Sequence, residues 1–358
     1  MSVTTAIHAG DRRRTGAIAL LVLAPMLLVS ALVSISVGPA GIPLGELLSA
    51  IGYWLTGAGE APSRATEAVL VSIRLPRMMM GIAVGFLLAI AGAILQGLFR
   101  NPLADPGLIG ISSGAALGAV TSIVLGGGVL ASLAAPLGDY QLPALAFAGA
   151  LIVTTILYAV STRDGRTSVP TMLLAGIALA AIAAALIGMV IYVSNDQQLR
   201  DINFWMLGSL SGATWVKLLA LVPLGAIVAV VAVMIAPGLN AITLGEAEAG
   251  HLGIPVQTLK CMAIVAVAAA VGAAVAFTGT IGFVGLIIPH LLRLTIGPDH
   301  RFLLPASGLA GAILILLADL VCRTVVAPAE LPIGIIMALL GGPFFLWLLL
   351  RRRALAEV

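Results

Sequence analysis

Residues Ile18–Val37 read IALLVLAPMLLVSALVSISV, and this run decides the fold class. It holds no charged residue and matches the roughly 20 apolar residues a helix needs to cross a bilayer core. Apolar and polar residues do not alternate in it. A barrel strand would be an alternating segment of roughly ten residues. The run VPLGAIVAVVAVMIA, Val222–Ala236, reads the same way. Over all 358 residues, 61% are hydrophobic and 9% are charged, and the mean hydropathy is +1.17. Soluble domains carry about 25% charged residues. Such a chain must face lipid, where only helices or closed barrels satisfy the backbone. It reads as an all-α polytopic membrane protein, one transmembrane domain over residues 1–358.

The same length rule places about ten helices, near 15–38, 70–98, 107–126, 142–161, 171–193, 215–236, 258–278, 281–296, 303–322 and 333–350. Asp11-Arg12-Arg13-Arg14 precedes an apolar stretch longer than a signal core, so the first span is expected to stay uncleaved. With the N-terminus inside, the inner basic set is Arg12, Arg13, Arg14, Arg100, Arg163, Arg166, Lys260, Arg293, Arg301, Arg351, Arg352 and Arg353. The outer set is Arg64, Arg74, Arg77, Arg200, Lys217 and Arg323. The inner excess is what the positive-inside rule requires, and both termini are expected in the cytoplasm. Asn195–Trp215 is expected to be an outer loop with a short surface helix, and Asn240–Gln257 an inner loop. Cys261 and Cys322 read as small buried hydrophobes. Gly81/Gly85, Gly110/Gly114 and Gly114/Gly118, each four apart, read as close-packing faces. Met78-Met79-Met80 reads as core filler, since three consecutive residues point in three directions on a helix. Gly85–Pro106 and Gly272–Pro298 share a faint internal likeness.

What the chain lacks narrows its function. Asp319 is the deepest acid, and Arg323, four residues on, can pair with it on one helical face. That leaves no obvious carboxylate for ion coupling. The only lysines are Lys217 and Lys260, and neither follows a Gly-rich turn as a phosphate-binding loop requires. No His-Glu-x-x-His arrangement exists, and no catalytic residue and no metal site are expected. If ATP drives this chain, another chain hydrolyses it.

An ordered set of motifs runs from about residue 70 to the C-terminus. It comprises Arg74-Leu75-Pro76-Arg77, Gly92 through Gln96, Arg100-Asn101-Pro102-Leu103-Ala104-Asp105-Pro106 with Gly110, Leu174-Ala175-Gly176, and Trp205-Met206-Leu207-Gly208-Ser209-Leu210. Then follow Leu244-Gly245-Glu246-Ala247-Glu248-Ala249-Gly250-His251-Leu252-Gly253, Gly282-Phe283-Val284-Gly285-Leu286-Ile287-Ile288-Pro289-His290, Asp299-His300-Arg301, Ala318-Asp319 with Arg323, and Glu330-Leu331-Pro332-Ile333-Gly334. With these motifs the chain resembles the FecCD-type permeases, which import iron chelates, haem and vitamin B12.

The resemblance implies a type II ABC importer permease in the bacterial inner membrane. It would work as a homodimer with two ABC ATPase subunits, which hold ATP and Mg, and a periplasmic substrate-binding protein. It implies no permanently bound cofactor and no nucleic-acid partner. The loop at about 240–257 would carry a coupling helix for the ATPase, through Leu244, Gly245, Glu246, Ala247, Glu248, Ala249, Gly250, Leu252 and Gly253. Arg74, Arg77 and Arg323 would dock the binding protein, where the bland alternatives are snorkelling and, for Arg323, the Asp319 pair. Asn101 and Leu103 would belong to the cytoplasmic gate, and Thr167–Pro170 matches that gate more loosely. The wording of Asn101–Ile111, Ser112-Ser113-Gly114 and Met80–Gly85 is most similar to the haem-importing branch. Ferric siderophore and cobalamin are the alternative solutes. An ion-coupled secondary transporter and a non-transporting membrane protein are the alternative classes.

Overall fold

The computed structural model describes residues 12–38, 42–58, 61–128 and 135–356. Asp11 and the side chains of Arg12 and Arg351, Arg352 and Arg353 lie outside the described part. In chain order the helices are α1 (Arg12–Ser36), α2 (Leu44–Thr56), α3 (Arg64–Leu98), α4 (Ile111–Leu125), α5 (Gln141–Ser161), α6 (Val169–Tyr192), α7 (Asp196–Leu207), α8 (Trp215–Ile242), α9 (Glu246–His251), α10 (Val256–Thr278), α11 (Val284–Ile296), α12 (His300–Thr324) and α13 (Ile333–Ala356). Between α5 and α6 runs a two-stranded hairpin, β1 (Thr162–Arg163) with β2 (Arg166–Thr167). Seven helices have the length and apolarity of full spans, and three shorter apolar ones bring the described total to the expected ten.

Burial sorts these helices into layers. In α3 and α10, 72% of the most apolar window is covered by protein, against 17% in α1 and α6. The first pair forms the centre, and the second presents Leu and Val side chains outward as lipid-facing helices do. Close packing comes from glycine. A side chain on Gly85 of α3 would overlap the Gly311 carbonyl of α12, and one on Gly114 would strike Gly149 and Val153 of α5. The expected small-residue faces are therefore real contacts. Ahead of Pro76, α3 widens into a π-turn over Val69–Arg74, a common accommodation for a residue that cannot donate a backbone bond. Met80 is buried while Met79 is 38% exposed, as adjacent helical residues must be.

Two helices are too short to span. α4 has 15 residues and α11 has 13, which is about 20 Å each at 1.5 Å per residue. Both start halfway along α3, because a Cβ on Gly285 would lie 2.9 Å from the Leu88 carbonyl and 3.2 Å from Pro106 Cδ. From there they diverge. α4 ends where Gln198 of α7 donates to the Val124 carbonyl. The chain leaving α11 reaches His300, whose ring abuts Gly97 at the opposite end of α3. The two half-helices run in opposite senses, an arrangement common in transporters; α4 lies outside Gly85–Pro106, so the faint likeness of that stretch to Gly272–Pro298 does not mark this pair.

Two elements went unforeseen. α2 is amphipathic rather than uniformly apolar, burying Leu47 and Ala50, and so falls below the threshold for a span. The hairpin turns on Asp164-Gly165, both at positive φ. An Asp-Gly pair is the standard signal for such a two-residue turn. The short helix expected within Asn195–Trp215 is α7, with 12 residues and a capping box between Asn195 and Gln198.

Candidate functional site

Polar groups gather at the two ends of the bundle, termed inner and outer after the orientation expected from the basic residues. At the inner end, α9 projects from the α8–α10 connection. Gly245 at φ 133 allows the turn into it. Ala249 is buried and anchors the helix, and Leu244 and Leu252 are 68% and 64% exposed. No atom would meet a side chain built on Gly250. Ala247, Glu248, Gly250, His251, Leu252 and Gly253 are exposed, so α9 offers a small-residue knob rimmed by two leucines. Glu246 departs from the expected surface role. Its Oε2 accepts from Nζ of buried Lys260 at 2.8 Å. Of the two acids, only Glu248 stays fully outward.

The turn after α3 lies at the same end. Asn101 Oδ1 accepts from the Leu103 N–H at 3.0 Å, and Asp105 Oδ1 accepts from the Gly107 N–H at 2.8 Å. Asn101 is exposed and Leu103 half-buried. Nearby, Asn240 joins α8 to α12, donating to Asp299 and accepting from the His300 N–H.

At the waist, where α4 and α11 begin, a cavity of about 220 Å³ is lined by Leu88, Asp105, Pro106, Gly107, Ser112, Val271, Thr280, Ile281, Gly282, Phe283 and Gly285. An outward cavity of about 480 Å³ shares Thr280, Gly282 and Phe283 with it, and adds Met206, Leu207, Gly334, Ile335, Ala338 and Leu339. Phe283 sits at φ 67, and its ring packs against Gly341 of α13. The lining is largely apolar, suited to a ligand with a large apolar surface. Sequence reasoning passed over this site, although the Gly282-Phe283-Val284-Gly285 run was its signal.

The outer end corrects the picture of three surface arginines. Arg74, Arg77 and Arg323 stand at this end but are 5%, 9% and 4% exposed. Arg77 donates Nε and Nη2 to Asp319 and Nη1 to Glu330, the last at 2.8 Å. Arg323 Nε lies 3.2 Å from Asp319 Oδ2, as the four-residue spacing implied. Arg323 Nη2 donates to the Ser34 carbonyl at 2.6 Å, and Arg74 Nη1 donates to the Ile35 and Ser36 carbonyls. These are the last carbonyls of α1, which have no partner within their own helix, and cationic groups suit that end of the helix dipole. The arginines therefore tie α1, α3 and α12 together. Helix position gave their depth; the wrapping of α1 decided their burial. Asp319, held by two guanidiniums, is not available as an ion-coupling carboxylate.

Half-helices of opposite sense meeting at a waist cavity match the arrangement common in membrane transporters. The FecCD transport family matches residues 26–351, and the chain belongs to that family. It is 47% identical over 285 residues to a hemin transport system permease protein of Yersinia pestis, covering 80% of this chain and 84% of that one. It is 42% identical over 328 residues to a vitamin B12 import system permease protein of Klebsiella pneumoniae, covering 92% of both. A solved structure of a metal-chelate type ABC transporter, in an inward-facing conformation, superposes with TM-score 0.79 at 31% identity, over 93% of this chain and 98% of that one. The protein is accordingly a multi-pass ABC importer permease with the type II importer fold.

Proposed function

We propose that this chain carries haem from the periplasm to the cytoplasm of a bacterium by alternating access, as one of two identical permease subunits. The observation that carries the solute is the 47% identity to the hemin permease, above the 42% to the vitamin B12 permease. Two ATPase subunits seat on the α9 knobs, and a binding protein delivers solute at the opposite end. There the three arginines less Asp319 and Glu330 leave one net positive charge, the sign that attracts an acidic partner. Asn101 and Leu103, at the inner turn, belong to the cytoplasmic gate. The larger basic set at the α9 end supports a cytoplasmic position for α9.

Reconstitution in proteoliposomes with the cognate ATPase and binding protein tests this. Expected is ATP-dependent hemin uptake that persists without an ion gradient. Uptake of a ferric siderophore or cobalamin in place of hemin would reassign the solute. Gradient-driven uptake without ATP would reject the importer reading.

The knob has its own test. Because Gly250 faces open space and Leu252 is exposed, Gly250→Leu with Leu252→Asp leaves the fold intact. ATPase co-purification is expected to be lost while the melting profile in detergent stays that of the parent. Retained co-purification would remove α9 from the ATPase contact.

A further inference from the structure

Lys260 is buried at 2% exposure near the start of α10, where an ammonium group is expensive unless paired. Its amine makes two bonds of 2.8 Å, one to Glu246 Oε2 on α9 and one to the Thr167 carbonyl at the end of β2. Three residues earlier on the same helical face, Gln257 Oε1 accepts from the Thr167 N–H at 3.0 Å. Both backbone groups of Thr167 are thus held by α10. Ser168 follows directly as the N-cap of α6. Further along α6, a side chain on Gly110 would lie 3.1 Å from the Gly176 carbonyl. Gly110 closes the short turn that begins at Pro106 and lines the waist cavity.

The pair is asymmetric. The Glu246 side chain is 39% exposed and that of Lys260 is 3% exposed. If α9 shifts, Glu246 can re-solvate, but the ammonium cannot be left bare. Lys260 must follow Glu246 or lean wholly on Thr167. Either response changes the pull on the hairpin and on the first turn of α6.

We infer that Lys260 is a positioning residue that transmits displacement of α9 to the hairpin and α6, and through them to the waist cavity. The inference rests on the ATP-driven importer reading and adds the internal route by which the knob reaches the solute path.

The experiment measures ATP hydrolysis and hemin uptake together in the reconstituted full complex, for the parent, Lys260→Met, Lys260→Arg and Gln257→Ala. Lys260→Met is expected to hydrolyse ATP within about twofold of the parent while uptake per ATP falls roughly tenfold, a magnitude typical of coupling positions. Lys260→Arg, which keeps a charged donor, should restore most of that ratio. Gln257→Ala should show a milder drop of the same kind. A merely structural fastener would lower assembly, hydrolysis and uptake in parallel, and that outcome overturns the inference. So does an unchanged ratio in Lys260→Met. Should Lys260→Met not assemble, the Gln257→Ala ratio decides, and a parental value overturns it. Absence of ATP-dependent uptake in the parent complex is a different failure, that of the importer reading.

Discussion

Asp319→Asn is expected to destabilise the protein by about 3–5 kcal/mol, the usual consequence of removing one partner from a buried ion cluster. Asp319 is 2% exposed and is the shared counter-ion of two guanidiniums. Arg77 reaches it with Nε and Nη2, and Arg323 lies beside its other oxygen. Glu330 cannot replace it. That carboxylate meets only Nη1 of Arg77, and its side chain is 33% exposed. Asparagine keeps the shape but not the charge, so two buried cations would face each other. Arg74 and Arg323 already flank Gly38 within 3.2–3.4 Å of where its side chain would stand, so the repulsion would extend to the end of α1. Thermal and denaturant melting in detergent measure the loss. The combined variant Arg77→Met, Asp319→Leu, Arg323→Met should recover most of it, because the two guanidiniums leave with their shared counter-ion and the part-exposed Glu330 can be solvated. A parental melting profile for Asp319→Asn would mean that the cluster contributes nothing to joining α1, α3 and α12.

Gly92→Ala is the second large effect. The new methyl would overlap the carbonyl oxygen, carbonyl carbon and Cα of Gly285. All three are backbone atoms, so no flexible side chain can yield and α11 must move as a body. Such overpacking costs about 1–3 kcal/mol and at times more, and this site belongs at the top of that range. Gln96, one turn along α3, donates to the Gly285 and Leu286 carbonyls at 3.2 and 3.3 Å, so the shift also breaks buried hydrogen bonds. Gly285 lines the waist cavity, and uptake should fall further than stability does. Gly250→Ala is the matched control. It meets open space, and its effect on melting should stay within about 0.5 kcal/mol. Equal melting of the two variants would mean that α3 and α11 do not touch at Gly92.

The chain by itself determined the set of about ten apolar helices, the gathering of charge at two ends and the Asp319–Arg323 pair. It also implied dependence on an outside energy source. Each of these follows from transfer energies, run lengths or a four-residue spacing, which are properties local to the chain. Local signals were present but overlooked for α2 and for the Asp164-Gly165 hairpin. Tertiary structure alone decided the rest. Lys260 meets Glu246 across a turn and Thr167 from another hairpin, and Gly92 meets Gly285 from a half-helix far along the chain. The arginines of α3 and α12 are buried because the end of α1 lies over them. A helix's periodicity specifies which residues share a face. What covers that face depends on which helices can approach closely enough to pack, and that is a property of the whole bundle.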